Sequence, residues 1–116
     1  MHAGRSDEAY AAAQRAAELA PGDEGALWLA ARTANATRAF QSEAEILEKL
    51  ILLAEGRGAD AGFYQLYLGQ SYAKQGLARP ALSALEKAAG APGLSGEQRA
   101  ELQEEIARVQ QSAERN

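Results

Sequence analysis

An all-α fold is what this sequence predicts, and three observations predict it. Alanine leads the apolar residues while valine and isoleucine are scarce, a composition weighted toward helix over strand. Apolar residues recur at three- and four-residue steps in six stretches, each bounded by Gly, Pro or a capping residue. The pattern of small and large residues in one of these stretches also returns elsewhere in the chain at intervals of 34 and 38 residues.

The first helix is expected from about Ser6 to Ala20, with Ser6 as N-cap, Asp7 and Glu8 in the positive first turn and "PGD" ending it. A second follows Asp23 through Leu27, Ala30, Ala31 and Ala34 and weakens near "NATR". The third, roughly Gln41 to Glu55, is the most hydrophobic, and "GRGADAG" punctuates the chain after it. A fourth begins after Asp60 and runs to Lys74, a fifth occupies Arg79 to Ala89, and "GAPGLSG" stops it. Ser95 and Gln98 form an S-x-x-Q capping box that opens a sixth helix, whose apolar positions are Leu102, Ile106 and Val109. With one apolar stripe on an otherwise charged helix, and an attractive Glu104 and Arg108 pair, the sixth segment reads as a terminal cap.

Several function classes are disfavoured by composition. A chain of 116 residues is one domain at most, or a piece of a longer one. The net charge of −4 argues against nucleic acid, because non-specific affinity for it comes mostly from Lys and Arg displacing counterions. Without cysteine there is no disulfide framework, thiolate metal site or cysteine nucleophile, and both cytoplasm and periplasm stay open. The longest apolar run, Ile46 to Ala54, is broken by Glu48 and Lys49, so no membrane span is expected. The opening "MHAGRSDEAY" lacks the apolar middle of a signal peptide.

The recurrence is specific in its residues. Gly4 is followed by Ala9, Ala13 and Ala16 at the spacing with which Gly76 is followed by Ala81, Leu85 and Ala88, and a proline closes each stretch, at Pro21 and Pro92. Between them Arg38, Glu43, Leu47 and Leu50 take the corresponding places, and "LEK" occurs at both Leu47–Lys49 and Leu85–Lys87. The register returns after 34 residues and again after 38, the excess sitting in "EGRGADAG". On these residues the sequence resembles the tetratricopeptide repeat family, with Leu68, Gly69, Tyr72, Gly76, Ala81, Leu85 and Ala88 matching its helix-pair pattern.

The resemblance implies a right-handed α-α superhelix, or solenoid, of antiparallel helix pairs closed by a C-terminal capping helix. Residues 4–22 would be the second helix of an incomplete repeat, 23–56 a degenerate repeat, 60–93 a well-matched one and 95–115 the cap, within what is expected to be a fragment of a longer protein. Gly69 and Ala81 would leave room for two backbones to approach, Tyr72 and Leu85 would fill the space beside them, and Gly76 would take the turn. The degenerate repeat departs from the family at Glu43, where a small residue is expected, and at Arg38, where glycine is.

In such arrays the first helix of each pair lines a concave groove that holds peptides. Carried over residue by residue, that groove falls at Gly25, Trp28, Arg32 and Asn35 and at Phe63, Leu66, Gln70 and Lys74. An apolar anchor from Trp28, Phe63 and Leu66, rimmed by Arg32, Asn35, Gln70 and Lys74, suits a peptide with hydrophobic side chains and one acidic group. The plainer readings are that Trp28 packs between helices, with Arg32 stacked on its indole, and that Phe63 packs beside Tyr64 and Tyr67 against the inserted loop.

Enzyme readings find little support. His2 is the single histidine and sits next to the N-terminus, the serines lack a base, and the Glu101, Glu104 and Glu105 cluster has no metal-ligand spacing. "GRG" and "GAPGLSG" lack the lysine of a phosphate loop and read as connectors. No cofactor is implied. The expectation is a non-catalytic protein-protein interaction scaffold that binds a peptide or partner helix in its groove. The alternative is an assembly module, of the kind found in bacterial envelope systems, that self-associates into a homo-oligomer through Ala9, Tyr10, Ala13, Ala16 and Ala17.

Overall fold

The computed structural model describes residues 3–115, with side chains described for 7–114. Six helices follow one another: α1 (Ala3–Leu19), α2 (Glu24–Ala36), α3 (Phe40–Gly56), α4 (Gly62–Lys74), α5 (Ala78–Ala89) and α6 (Gly96–Arg115), and no strand forms among the described residues. The all-α expectation and its six elements hold. Because α1 is already helical at Ala3, Ser6 does not cap it, and the Ser6 side chain and His2 lie outside the described residues.

Local chemistry accounts for most boundaries. Asp23 caps α2 by accepting the Ala26 N–H at 3.2 Å. The expected weakening at "NATR" is limited, since α2 stays helical through Ala36 while the Thr33 and Thr37 hydroxyls bond back to carbonyls one turn earlier. The capping box of α6 is reciprocal, with Gln98 N–H on Ser95 Oγ at 3.1 Å and Ser95 N–H on Gln98 Oε1 at 2.8 Å.

Helices α2, α3 and α4 end in one shared way. A residue at positive φ follows each: Arg38 (64°), Gly58 (74°) and Gly76 (78°). The next N–H then reaches five residues back, Ala39 to the Ala34 carbonyl, Ala59 to Ala54 and Leu77 to Tyr72, at 2.8 to 3.0 Å. After Arg38 and after Gly76 a new helix starts within two residues, so α2–α3 and α4–α5 are hairpins with the same turn.

Both hairpins are antiparallel. Glu24 at the start of α2 holds Arg57 just past the end of α3, while Asn35 near the end of α2 holds Glu43 in the first turn and a half of α3. In the second hairpin Gly62 at the start of α4 lies against Ala91 just beyond α5. Each helix packs on the next one in sequence, and α4 also meets α6.

Two cores result. Leu27, Ala30, Ala31, Leu47, Leu50 and Ile51 lead the first, to which α1 contributes Ala13 and Ala17; Leu66, Ala81, Leu85, Ala88, Leu102 and Val109 lead the second, under α6. Tyr72 packs against both. In the second hairpin the helices nest closely, because a Cβ at Gly69 would stand 2.5 Å from Leu85 Cγ and 3.2 Å from the Ala81 carbonyl.

The segment after α3, where the repeat register gains residues, carries a tie. One Asp60 carboxylate oxygen accepts the Gly62 N–H at 2.8 Å and the other accepts the Gly93 N–H at 2.6 Å. The α3–α4 and α5–α6 connections are thereby joined through one side chain.

Candidate functional site

Helices α2 and α4 each aim a stripe of side chains to the same side of the molecule. On α2 these are Trp28, Arg32 and Asn35, and on α4 they are Phe63, Tyr67, Gln70 and Lys74, at the three- and four-residue steps that keep a helix face in line. Trp28 stands 5.2 Å from both the Phe63 and Tyr67 rings, and Phe63 lies 5.0 Å from Tyr67 in an edge-on arrangement. Arg32 covers this group, its guanidinium carbon 4.9 Å from the Tyr67 ring centre and 5.5 Å from that of Trp28. Trp28 is half-buried and Phe63 stays 37% exposed, so the cluster is both an inter-helix contact and a surface.

Tyr64 borders the same group, its ring 5.8 Å from Trp28 and 6.0 Å from Phe63, and its hydroxyl donates to Glu24 at 3.3 Å beside the inserted loop. Arg57 of that loop grips the same carboxylate through two nitrogens at 2.6 and 2.9 Å, which holds the Glu24 carboxyl below the usual carboxylate range.

Beside Arg32 lies a buried carboxylate. Glu43 is 1% exposed, with Asn35 Nδ2 at 3.3 Å from both of its oxygens and an Arg32 nitrogen 3.9 Å away. Burial raises its pKa, opposed by hydrogen bonding from Asn35 and Ser71 and by the charges of Lys74 and Arg32. The expected Asn35 rim position is thus occupied in holding Glu43.

Past Glu43 the face becomes cationic. The Phe40 ring has the Arg38 guanidinium 5.4 Å from its centre and the Lys74 ammonium 5.1 Å from it. Asn35, Arg38, Phe40 and Lys74 line a cleft of ≈ 510 Å³. Gln70, Lys74, Arg108 and Ser112 line another of ≈ 440 Å³ between α4 and α6, and Lys74 is the wall the two share. Gln70 also donates to Glu101 of α6 at 3.0 Å, and Arg108 pairs with Glu105 at 2.6 Å in place of the expected Glu104.

Of the seven residues expected to line a groove, Trp28, Arg32 and Phe63 come together, and Gln70 and Lys74 continue the same face. Asn35 turns to Glu43. Leu66 does not join them: it is 1% exposed and packs in the second core with Leu85 and Leu102, because α6 covers its side of α4. Tyr67 occupies the position sequence reasoning gave to Leu66, and it was legible as the residue four after Phe63. Arg38 and Arg108 were missed because one sits in a turn and the other on the cap.

Among the described residues no group of His, Cys, Asp and Glu is arranged to hold a metal ion, and no helix is long and apolar enough to cross a membrane. A scan against protein-family models finds no match, and a search of curated proteins finds none similar to the chain.

Proposed function

We propose that this chain is a non-catalytic protein-interaction scaffold of tetratricopeptide-like helix pairs in a right-handed stack, with α6 as the cap, and that a peptide or partner helix binds across α2, α4 and α6. The observation that carries the reading is the Trp28, Phe63 and Tyr67 cluster under Arg32, a partly exposed aromatic anchor beside two clefts that share Lys74. Aromatic side chains already packed against one another lose little freedom on contact with a ligand, which lowers the ordering cost of binding. The close nesting at Gly69 and the equal turns at Arg38 and Gly76 support the repeat reading.

Trp28 is the chain's one tryptophan, so its emission reports on this face directly. A saturating partner should shift Trp28 emission and the amide resonances of α2 and α4; no change in either would refute the proposal.

A second reading has one observation in its favour. Helix α1 packs mainly on α2 and leaves Ala9, Ala12, Ala16 and Leu19 exposed, the last by 82%. Ala13 and Ala17, expected on a self-association surface, are instead buried against the first core. Sedimentation over a range of concentrations tests it: a monomer throughout removes self-association.

A further inference from the structure

On the side away from the aromatic cluster, α3 and α5 flank α4 and leave a cleft of ≈ 570 Å³ between them, a size in the usual range for ligand sites of about 300–1,000 Å³. Each helix contributes one continuous stripe. Gln65, Leu68 and Tyr72 of α4 make the floor, Glu48, Ile51, Leu52 and Glu55 of α3 one wall, and Pro80, Ala84 and Lys87 of α5 the other. Each stripe spans eight residues, that is seven helical steps, so the cleft is about 10 Å long at the helical rise.

Its floor holds a residue that packing does not require. Gln65 is 7% exposed, and its side-chain amide has no hydrogen-bonding partner among the described residues, although it is reached from the cleft. The corresponding cleft between α1 and α3 shows what packing alone selects: its floor is Leu27, the repeat equivalent of Gln65, and it holds only ≈ 160 Å³. An amide offers one donor side and one acceptor side, the complement of a main-chain peptide group. A helical ligand has already used its main-chain groups internally, whereas an extended segment keeps them free.

The charges along the cleft are uneven. The Tyr72 contact with Glu48 and the packing of Gly62 on Ala91 set the register of α3, α4 and α5, which places Glu55 and Lys87 together at the Gln65 end. At the other end Glu48 accepts the Tyr72 hydroxyl but makes no ion pair among the described residues. Between the ends, Ile51, Leu68 and Ala84 line an apolar centre, with Leu52 70% exposed at its edge.

We infer that the α3–α5 cleft is a second binding site, for an extended peptide segment whose main-chain amide pairs with Gln65 and which carries an apolar side chain next to a basic one. At about 3.3 Å per extended residue the cleft holds about three residues. The apolar side chain rests on Leu68 and Leu52, and the basic one reaches Glu48. This site is independent of the α2 and α4 face, so either can fail alone.

The test uses the whole chain with two capped pentapeptides, acetyl-Ala-Lys-Leu-Val-Ala-amide and the same peptide with Glu in place of Lys, followed by nuclear magnetic resonance. The Lys peptide should shift the Gln65 side-chain amide saturably, leave Trp28 emission unchanged, and bind about tenfold tighter than the Glu peptide. Gln65→Leu should weaken it about tenfold, the loss of one buried hydrogen-bond pairing, with helical circular dichroism retained. Glu48→Gln, which removes the charge but keeps an acceptor for the Tyr72 hydroxyl, should erase the preference for Lys with helical circular dichroism retained. The inference is overturned if Gln65 does not respond at millimolar peptide, if Gln65→Leu binds equally well, if Glu48→Gln keeps the preference, or if only the Trp28 and Phe63 resonances move. A dimer in sedimentation that shifts Gln65 without peptide would also overturn it, since a second copy would then be the occupant.

Discussion

The α2–α3 and α4–α5 hairpins share one turn and differ in what they place at the seam. Where the second nests Gly69 against Ala81 and Leu85, the first sets Ala31, Glu43 and Leu47 at the matching positions, and all of these are buried. Where the second turns on Gly76, the first turns on Arg38 with nearly the same φ. A helical hairpin of this kind therefore tolerates a carboxylate at its seam and a side chain at its turn, provided each is compensated nearby. Glu43 has Asn35 and Arg32, and the Arg38 guanidinium lies over the Phe40 ring. The second hairpin has no such compensation: Gln70 and Ala73 occupy the places of Arg32 and Asn35.

The sharpest way to break this comparison is to exchange the seam residues. Ala81→Glu puts a carboxylate at a fully buried position without the first hairpin's partners, and it should cost about 3–5 kcal/mol in chemical denaturation, the cost of an uncompensated buried charge. Glu in place of Ala with only a small loss would show that the seam is looser than its packing indicates.

Next in size is Gly69→Ala. Its Cβ meets Leu85 at 2.5 Å, so the variant should lose about 1–3 kcal/mol, and Leu85→Ala should be less damaging in that background than in the wild type. Additive losses in this double-mutant cycle would place the strain elsewhere.

The turns offer a smaller contrast of opposite sign. Arg38→Gly should gain up to about 1 kcal/mol by relieving a left-handed backbone conformation, and Gly76→Ala should lose about 1 kcal/mol by imposing it, both read from urea midpoints.

The last prediction concerns pH. The Glu43 carboxyl is raised above its ordinary value of 4.5, so the stability from its protonation is complete below that value and is lost as pH rises through the raised one. Glu43→Gln lacks this titration, and its stability relative to the wild type should therefore increase with pH across the same window. A constant difference between the two proteins in melts at several pH values would show that Glu43 does not titrate with folding.

Much of the fold was legible because helix signals are local. The spacing of Leu27, Ala30, Ala31 and Ala34, the Asp23 cap and the Ser95 and Gln98 box each act within one or two turns, and the structure places helices where they point. The Gly69 contact was legible too, since a glycine in a helix interior needs a packing reason. What escaped was decided across helices. Nothing near Leu66 in sequence says that α6 will cover it, and nothing near Asn35 says that its amide will be taken up by Glu43. Gln65 escaped for the opposite reason: within its own helix it looks like an ordinary surface glutamine, and only α3 and α5 together enclose it.

The Asp60 side chain sits in the stretch by which the repeat register lengthens, and it joins the entrance of the second hairpin to the strap leading into the cap. An interruption of the periodicity thus supplies a clasp. With it fastened, α4, α5 and α6 should come apart as a single cooperative block, and amide exchange at Gly62 and Gly93 should keep the same tempo while α1 frays on its own.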